Sequence, residues 1–271
     1  MNRLHFPRLA LLLAFALAVT LLAGTLAAQD FNAIESPARP AIEKLIKESG
    51  ADVSVAFRSL DGRQELFLHA EEPYEDHNAL RLAVMIELYA QAELGALHLT
   101  DTLPVLSGSG AAAGATVTLQ ELCQEMIVNN SDPATNRLIQ HLGLSNIRQQ
   151  INTLGAAGMN LGAPFPKNEN NHTTVRAVLI LLWSLATDGV VSPDASRAMV
   201  DLLSRSPLQS SPTFNPNSAP SKPAASGVVH DAVVIFGAHS FAFVIQVRGI
   251  ADPTAAAQLL AKISQALSAA M

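Results

Sequence analysis

The chain has 271 residues, of which 49% are hydrophobic and only 15% charged, so it can bury a large core and is neither a disordered nor a fibrous protein. Its formal net charge at neutral pH is −6, and no run rich in lysine and arginine follows the first ten residues, which argues against nucleic-acid binding. Cys123 is the only cysteine, which excludes a disulfide framework.

The first 28 residues have the pattern of a secretory signal peptide. Arg3 and Arg8 precede an uncharged apolar stretch, Leu9 to Ala28, that ends in small residues. We therefore predict export to the periplasm or the cell exterior, with a mature domain over residues 29–271. The alternative is an uncleaved membrane anchor, because about 20 apolar residues can span a bilayer. The small residues favour cleavage, which leaves no stable membrane insertion.

An amphipathic helix and a β-hairpin are predicted next. Apolar residues recur at helical spacing from Ala41 to Ile46, and Gly50 ends that helix. The alternation from Val53 to Phe57 predicts a strand. Asp61-Gly62 forms a tight turn into a second strand through Leu66–Leu68.

The middle of the chain is predicted to be helical. A long apolar helix runs from Ala79 to Leu97, with no interior proline or glycine until Gly95. Five further helices are predicted at Leu119–Val128, Pro133–Leu142, Ser145–Leu154, Thr174–Thr187 and Pro193–Ser204. The segment 207–226 is rich in proline, serine, asparagine and alanine, and we interpret it as an irregular surface segment.

The C-terminal part is predicted to contain two strands and a helix, at Ala232–Phe236, Phe241–Val247 and Pro253–Ala270. An isolated two-stranded hairpin is marginally stable in water, so the N-terminal hairpin must pair with these strands in one antiparallel sheet. The predicted fold class is therefore α+β. Its sheet subdomain is built from residues 33–74 and 227–271, and a helical subdomain of about residues 78–205 is inserted between them.

Four runs of residues follow one another along the chain. They are Tyr74–Arg81 continuing into Val84–Leu88, Met126–Asn129 leading to Ala134-Thr135-Asn136, Asn171–Thr174, and Gly227–Asp231. In order and approximate spacing they resemble the motifs of the class A β-lactamase and penicillin-binding serine hydrolase family. The resemblance covers residues 33–270 and implies that family's fold, an α/β sandwich with an inserted helical subdomain.

The resemblance also implies a catalytic site, but its first motif, S-x-x-K, is substituted. Asn78 stands at the position of the nucleophile, and a carboxamide cannot be activated by a base as a hydroxyl can. Asparagine is favoured at helix caps, so Asn78 is expected in the first turn of the long helix, facing the cleft between the subdomains. Arg81 replaces the proton-shuttling lysine, and a guanidinium does not act as a base. We expect Arg81 to be a structural cation that hydrogen-bonds Asn78 or a carboxylate.

The second and third motifs, Ser-Asp-Asn and Lys-Thr-Gly, are altered as well. Registered on Ala134-Thr135-Asn136, the second motif is filled by Asn130, Ser131 and Asp132, so an amide replaces the hydroxyl that relays a proton. Ser131 would take that place only if the loop shifted by one residue, and Asp132 also suits an ordinary helix start. The third motif has at best Lys222-Pro223-Ala224, whose proline disfavours a central strand and leaves the lysine as a solvated loop residue.

Other catalytic chemistries have weaker support. The only acid between Gly155 and Asn170 is Glu169, which lies too close to the next helix to match the family's deacylating glutamate. The histidines lack the close spacing of metal ligands, so no metal and no cofactor is predicted. Cys123 lies on an apolar helix and is expected to be buried rather than nucleophilic.

Three functions remain open. The favoured one is a catalytically inactive family member, a monomer whose remnant cleft binds a β-lactam or cell-wall-like small molecule or a partner. The second is a family hydrolase with residual or altered activity on β-lactam or peptidoglycan-like substrates. The third is an envelope interaction or scaffold protein that docks a partner through segment 207–226.

Overall fold

Strands from both ends of the chain meet in one sheet. The computed structural model describes residues 33–105, 115–167, 169–205, 229–237 and 239–271, with the backbone alone for Val229 and His230. Its elements are β1 (Ile34–Glu35), α1 (Arg39–Ser49), β2 (Asp52–Ser59), β3 (Gln64–Leu68), α2 (His77–Glu93), β4 (Thr102–Pro104), β5 (Thr116–Thr118), α3 (Leu119–Val128), α4 (Asp132–Leu142), α5 (Leu144–Thr153), α6 (Val175–Ala186), α7 (Pro193–Ser204), β6 (Val229–Ile235), β7 (Phe241–Arg248) and α8 (Pro253–Ala269).

The sheet has the strand order β1-β3-β2-β7-β6. Strand β2 lies between β3 and β7 and is antiparallel to both, with Val55 opposite Leu68 on one side and Ile245 on the other. The predicted pairing of the N-terminal hairpin with the C-terminal strands is therefore confirmed. Strand β1 runs parallel to β3, so the sheet is mixed rather than purely antiparallel. With two residues, β1 is too short to show an alternating pattern.

The helical middle is confirmed, with shifts at the ends of its longest helix. Helix α2 begins at His77 rather than Ala79, because the Asp76 side chain caps it. It ends at Glu93, shortly before Gly95, whose φ of +69° is a left-handed conformation that glycine adopts without strain. A small second sheet of β4 and β5 was not predicted, because three-residue strands leave no readable period.

The two faces of the large sheet bury different sets of side chains. Val55, Phe57 and Ile245 pack on the outer face in a core shared with residues of α1 and α8. Ala56 and Val244 face the opposite way, into a larger core built mainly from helices α2 to α7. Each fully buried valine, isoleucine or phenylalanine side chain stabilises the fold by about 1.5–3 kcal/mol. The sheet and the helices on its two faces are therefore held together chiefly by apolar burial.

Helix α6 lies on the inner face of the sheet and is fixed at both ends. At its start, the backbone N–H of Arg176 donates to the Ala70 carbonyl at 3.2 Å. Near its end, the indole Nε1 of Trp183 donates to the Ser59 carbonyl at 2.9 Å. In the part of the chain that the structure describes, none of the helices combines the length and apolarity that crossing a membrane requires.

Gly158 is expected to tolerate no side chain, because a Cβ there would lie 2.5 Å from Thr174 Oγ1. That oxygen caps α6 by accepting from Ala177 N at 3.1 Å. We expect Gly158→Ala to weaken the cap by about 1 kcal/mol and to lower the Tm by about 2–4 °C. The fluorescence of Trp183, the only tryptophan, reports unfolding. Gly237→Ala is the control, since nothing lies within 4 Å of its Cβ, and equal losses in both variants would refute the close contact.

Candidate functional site

The first turn of α2 brings Asn78 and Arg81 together. The Asp76 carboxylate accepts from the backbone N–H groups of Asn78 and Ala79, both at 3.0 Å, and so fixes the start of the helix. Asn78 lies in this first turn as predicted, but the capping residue is Asp76. Residues three apart in a helix share a face, and Arg81 Nη1 donates to Asn78 Oδ1 at 2.8 Å.

Arg81 is almost completely buried, with 4% of its surface exposed. Its Nε donates to Thr135 Oγ1 at 3.2 Å. Nη1 donates to the side-chain oxygens of both Asn78 and Asn130. Nη2 donates to the Asn130 carbonyl at 3.2 Å and to Asp132 Oδ1 at 2.5 Å. A guanidinium has five N–H groups, and these five contacts use all of them.

The charge of Arg81 is balanced by an ion pair with Asp132. Burial lowers the pKa of Arg81 from its usual value, and the charge and hydrogen bond of Asp132 oppose that shift. The Asp132 side chain is 44% exposed, so this ion pair is only partly screened by solvent. The positive charge of Arg81 is therefore matched by an anion of the same chain rather than offered to a ligand.

Asn130 presents two oxygens to Arg81 because its backbone is turned. Its φ of +56° lies in the left-handed region, which asparagine tolerates better than most residues. The next residue, Ser131, is the N-cap of α4, and its Oγ accepts from Ala134 N at 3.3 Å. Ser131 thus serves the helix start, and Asp132 and Pro133 occupy the first turn of α4, as the sequence indicated.

Phe165 covers the other side of Arg81. Its ring centroid lies 4.9 Å from the Arg81 guanidinium carbon and 5.4 Å from the ring of His77. Asn136 holds the Phe165 backbone with two bonds, accepting from its N–H at 2.8 Å and donating to its carbonyl at 2.6 Å. We name Arg81, Asn78, Asn130, Asp132, Thr135 and Phe165 the Arg81 cluster.

The loop that carries Phe165 is held from its far end by Asn171. Asn171 Oδ1 accepts from Gly162 N at 2.6 Å, and its Nδ2 donates to the Pro166 carbonyl at 3.0 Å. Phe165 is 3% exposed, whereas Glu169, the acid of this loop, lies in a turn and is exposed. The side chain that the loop places against Arg81 is therefore an apolar ring and not a carboxylate.

The structure brings together four of the five predicted site positions. Asn78, Arg81, Asn130 and Asp132 lie in one hydrogen-bonded cluster, and Lys222 lies outside the described residues. Sequence reasoning missed Phe165. The available signal was an aromatic residue between two prolines, four residues before Glu169.

The chemistry available within the Arg81 cluster is limited. Its one hydroxyl belongs to Thr135, which is fully buried, donates to the Ser131 carbonyl at 2.8 Å and accepts from Arg81. Cys123 is buried, and burial raises its pKa to about 12, so the thiol is inert. Within the described ranges, no group of three His, Cys, Asp or Glu side chains is placed to hold a metal ion.

Comparison with known proteins places these features in context. The sequence model described as the beta-lactamase enzyme family matches residues 37–271. No curated protein sequence matches the chain. Three of the solved structures that are similar to it in fold follow. A beta-lactamase from Sphaerobacter thermophilus has 19% identity and a TM-score of 0.69, covering 86% of this chain and 96% of that one.

The other two solved structures are of one protein, PBP-A. The first has 17% identity and a TM-score of 0.71, covering 88% of this chain and 98% of that one. The second is a PBP-A mutant described as an acyl-enzyme complex with penicillin G, with 17% identity and a TM-score of 0.70 over 86% of this chain and 96% of that one. At such identities the likeness establishes a shared fold.

Arg81 is expected to be important for stability. Arg81→Met keeps an unbranched apolar stem but removes the guanidinium and leaves Asp132 without its cation, so we expect the Tm to fall by on the order of 5 °C. Arg81→Lys should fall between this variant and wild type, because an ammonium has three N–H donors instead of five. Thermal unfolding followed by tryptophan fluorescence measures both changes.

The matched control for this series is Arg63→Met, which removes an arginine whose side chain is 84% exposed. We expect it to change the Tm by no more than about 1 °C, as for most surface substitutions. A Tm loss in Arg81→Met as small as that of the control would contradict a structural role for Arg81.

Proposed function

This chain belongs to the beta-lactamase enzyme family, and we propose that it is an exported member without the family's hydrolytic activity. The observation that supports this most directly is that all five N–H groups of the Arg81 guanidinium donate hydrogen bonds within the protein. At the position that the resemblance assigns to a proton-shuttling lysine, every N–H is bonded within the protein, and a guanidinium cannot take up a proton.

The nucleophile position supports the same proposal. Acyl transfer requires a hydroxyl or thiol whose proton an adjacent base removes. Asn78 has neither group, and its side-chain oxygen accepts a hydrogen bond from Arg81. At the second motif the side chain nearest to Arg81 is the amide of Asn130, while the Ser131 hydroxyl caps a helix.

The deacylating step also lacks a partner among the described residues. A general base must lie within hydrogen-bond reach of the attacking water. Against Arg81 the loop places Phe165, whose ring cannot accept that proton. Glu169 is exposed in a turn beyond it. Among the described residues, the positions that the resemblance assigns to the nucleophile, the shuttling base, the relaying hydroxyl and the deacylating base thus hold groups that cannot perform those roles.

We further propose that the protein works outside the cytoplasm and binds rather than converts its ligand. Export is inferred from the signal-peptide pattern of residues 1–28. The ligand class is a β-lactam or cell-wall-like small molecule in the remnant cleft, bound by a monomer without a metal or cofactor. A scaffold role through segment 207–226 is the competing proposal, and that segment lies outside the described residues.

Incubation of the mature protein with a labelled penicillin tests the loss of activity. We expect no acyl adduct and no hydrolysis above buffer, because removing the nucleophile of a hydrolytic triad costs on the order of 10⁶ in rate. Intact-mass measurement and a chromogenic β-lactam assay on the same sample give both readouts, with PBP-A as the positive control for labelling. A mass shift of one penicillin per chain would establish the competing reading, a family hydrolase with residual activity.

Restoring two catalytic residues tests how many catalytic groups the site lacks. Asn78→Ser with Arg81→Lys restores a nucleophile and a base, but neither the hydroxyl at position 130 nor a carboxylate at the loop. Residues that act as a unit are strongly non-additive. We therefore expect the double variant to acylate slowly at most and then to remain acylated.

The matched control for repair is the single variant Asn78→Ser, which should stay unlabelled because Arg81 cannot accept the hydroxyl proton. Labelling and hydrolysis are followed in the same sample over time. Multiple turnovers by the double variant would reveal a base already in place, for which Asp132 and Glu169 are the candidates, and would contradict the proposed loss of the deacylating base.

A further inference from the structure

A pair of polar side chains is buried in the sheet away from the Arg81 cluster. Ser54 on β2 and Gln246 on β7 lie directly opposite each other in the antiparallel register. Ser54 is 1% exposed and Gln246 is fully buried. The Ser54 hydroxyl and both polar atoms of the Gln246 amide have no hydrogen-bond partner in the part of the chain that the structure describes.

Both side chains point toward the inner core, which the helices in the middle of the chain build. Successive residues of a strand alternate between faces, and Ala56 and Val244, each two residues away, belong to the core on that side. Val53 and Val247, the direct neighbours, belong to the outer core. The two polar groups therefore lie on the inner face of the sheet, between the apolar pair Ala56–Val244 and the ion pair of Arg248 with Asp52. On the other side of β7, His230 is opposite Gln246 in the register.

Helix α6 covers this part of the inner face. Leu68 is opposite Val55, so the chain reaches Ala70 near the end of β2 that carries Ser54. The Ala70 carbonyl accepts from the first turn of α6, while Trp183, near the other end of the helix, bonds to Ser59. The Ser54–Gln246 pair accordingly lies toward the N-terminal half of α6.

Three buried polar atoms without partners are a strong indication of a bound molecule. Buried polar groups in native proteins are hydrogen-bonded, and where no protein group is available the partner is ordered water. Opposite side chains in a sheet have Cβ atoms about 4.5–5.5 Å apart, a separation that one water can bridge. The hydroxyl and the amide together offer donors and acceptors on both sides of that gap.

We propose that Ser54 and Gln246 form an internal hydration site between the sheet and α6. The water accepts from the Gln246 amide nitrogen and donates to the Ser54 hydroxyl oxygen. No residue of the Arg81 cluster takes part, so this site is independent of the proposed function. The ligand is water, because neither side chain carries a charge that would select an ion.

A high-resolution crystal structure of the mature protein tests the site directly. We expect one or more ordered waters within about 3.2 Å of both Ser54 Oγ and the Gln246 amide. A dry site, or a protein side chain bonded to these atoms instead, would overturn the proposal.

A double-mutant cycle provides a second test in solution. Ser54→Ala and Gln246→Met each remove one side of the bridge, and we expect each to lower the Tm by about 2–4 °C. Because they share one water, the double variant should lose less than the sum of the two. Gln124→Met is the control, the same change at an exposed position, and should leave the Tm unchanged. Additive losses, or a rise in Tm with either single variant, would refute a shared water.

Discussion

The buried guanidinium of Arg81 determines the arrangement of the candidate site. A permanently charged group that is 4% exposed must find its hydrogen-bond partners within the protein, because each unmet donor would carry a desolvation cost. Those partners come from α2 itself, from the turn before α4 and from α4. The same contacts therefore hold two helices in register and use up the donors that a ligand would need.

The fold is largely independent of what occupies the site. The sheet and its outer core are made by apolar residues from both ends of the chain, whereas the inner core comes mainly from the helices between them. Phe165 is the one member of the Arg81 cluster that belongs to the inner core, and none belongs to the outer core. This explains how a TM-score near 0.7 persists at 17–19% identity. Fold membership and catalytic competence are separate properties, and they must be argued from different residues.

The sequence predicted the architecture where a pattern was long enough to read. The pairing of the N-terminal hairpin with the C-terminal strands could be predicted, because a lone hairpin is only marginally stable. The helix Leu119–Val128 was predicted with the bounds that the structure shows. The parallel strand β1 and the β4–β5 pair were missed, because two or three residues have no period. Within the site, the order and spacing of the motifs that resemble the family predicted the positions of Asn78 and Arg81. The covering role of Phe165 depends on a loop path that Asn136 fixes, which no local pattern encodes.

The residues around Arg81 depend on one another through their hydrogen bonds to its guanidinium. A guanidinium has no acceptor, so each neighbour must offer oxygen at a suitable distance. The amide side chains at Asn78 and Asn130 extend a carbonyl oxygen further than a serine hydroxyl would, and both bond to the same nitrogen of Arg81. Asp132 supplies the countercharge. Because both amide oxygens stabilise the charge of Arg81, we expect replacement of either asparagine on its own to be unfavourable.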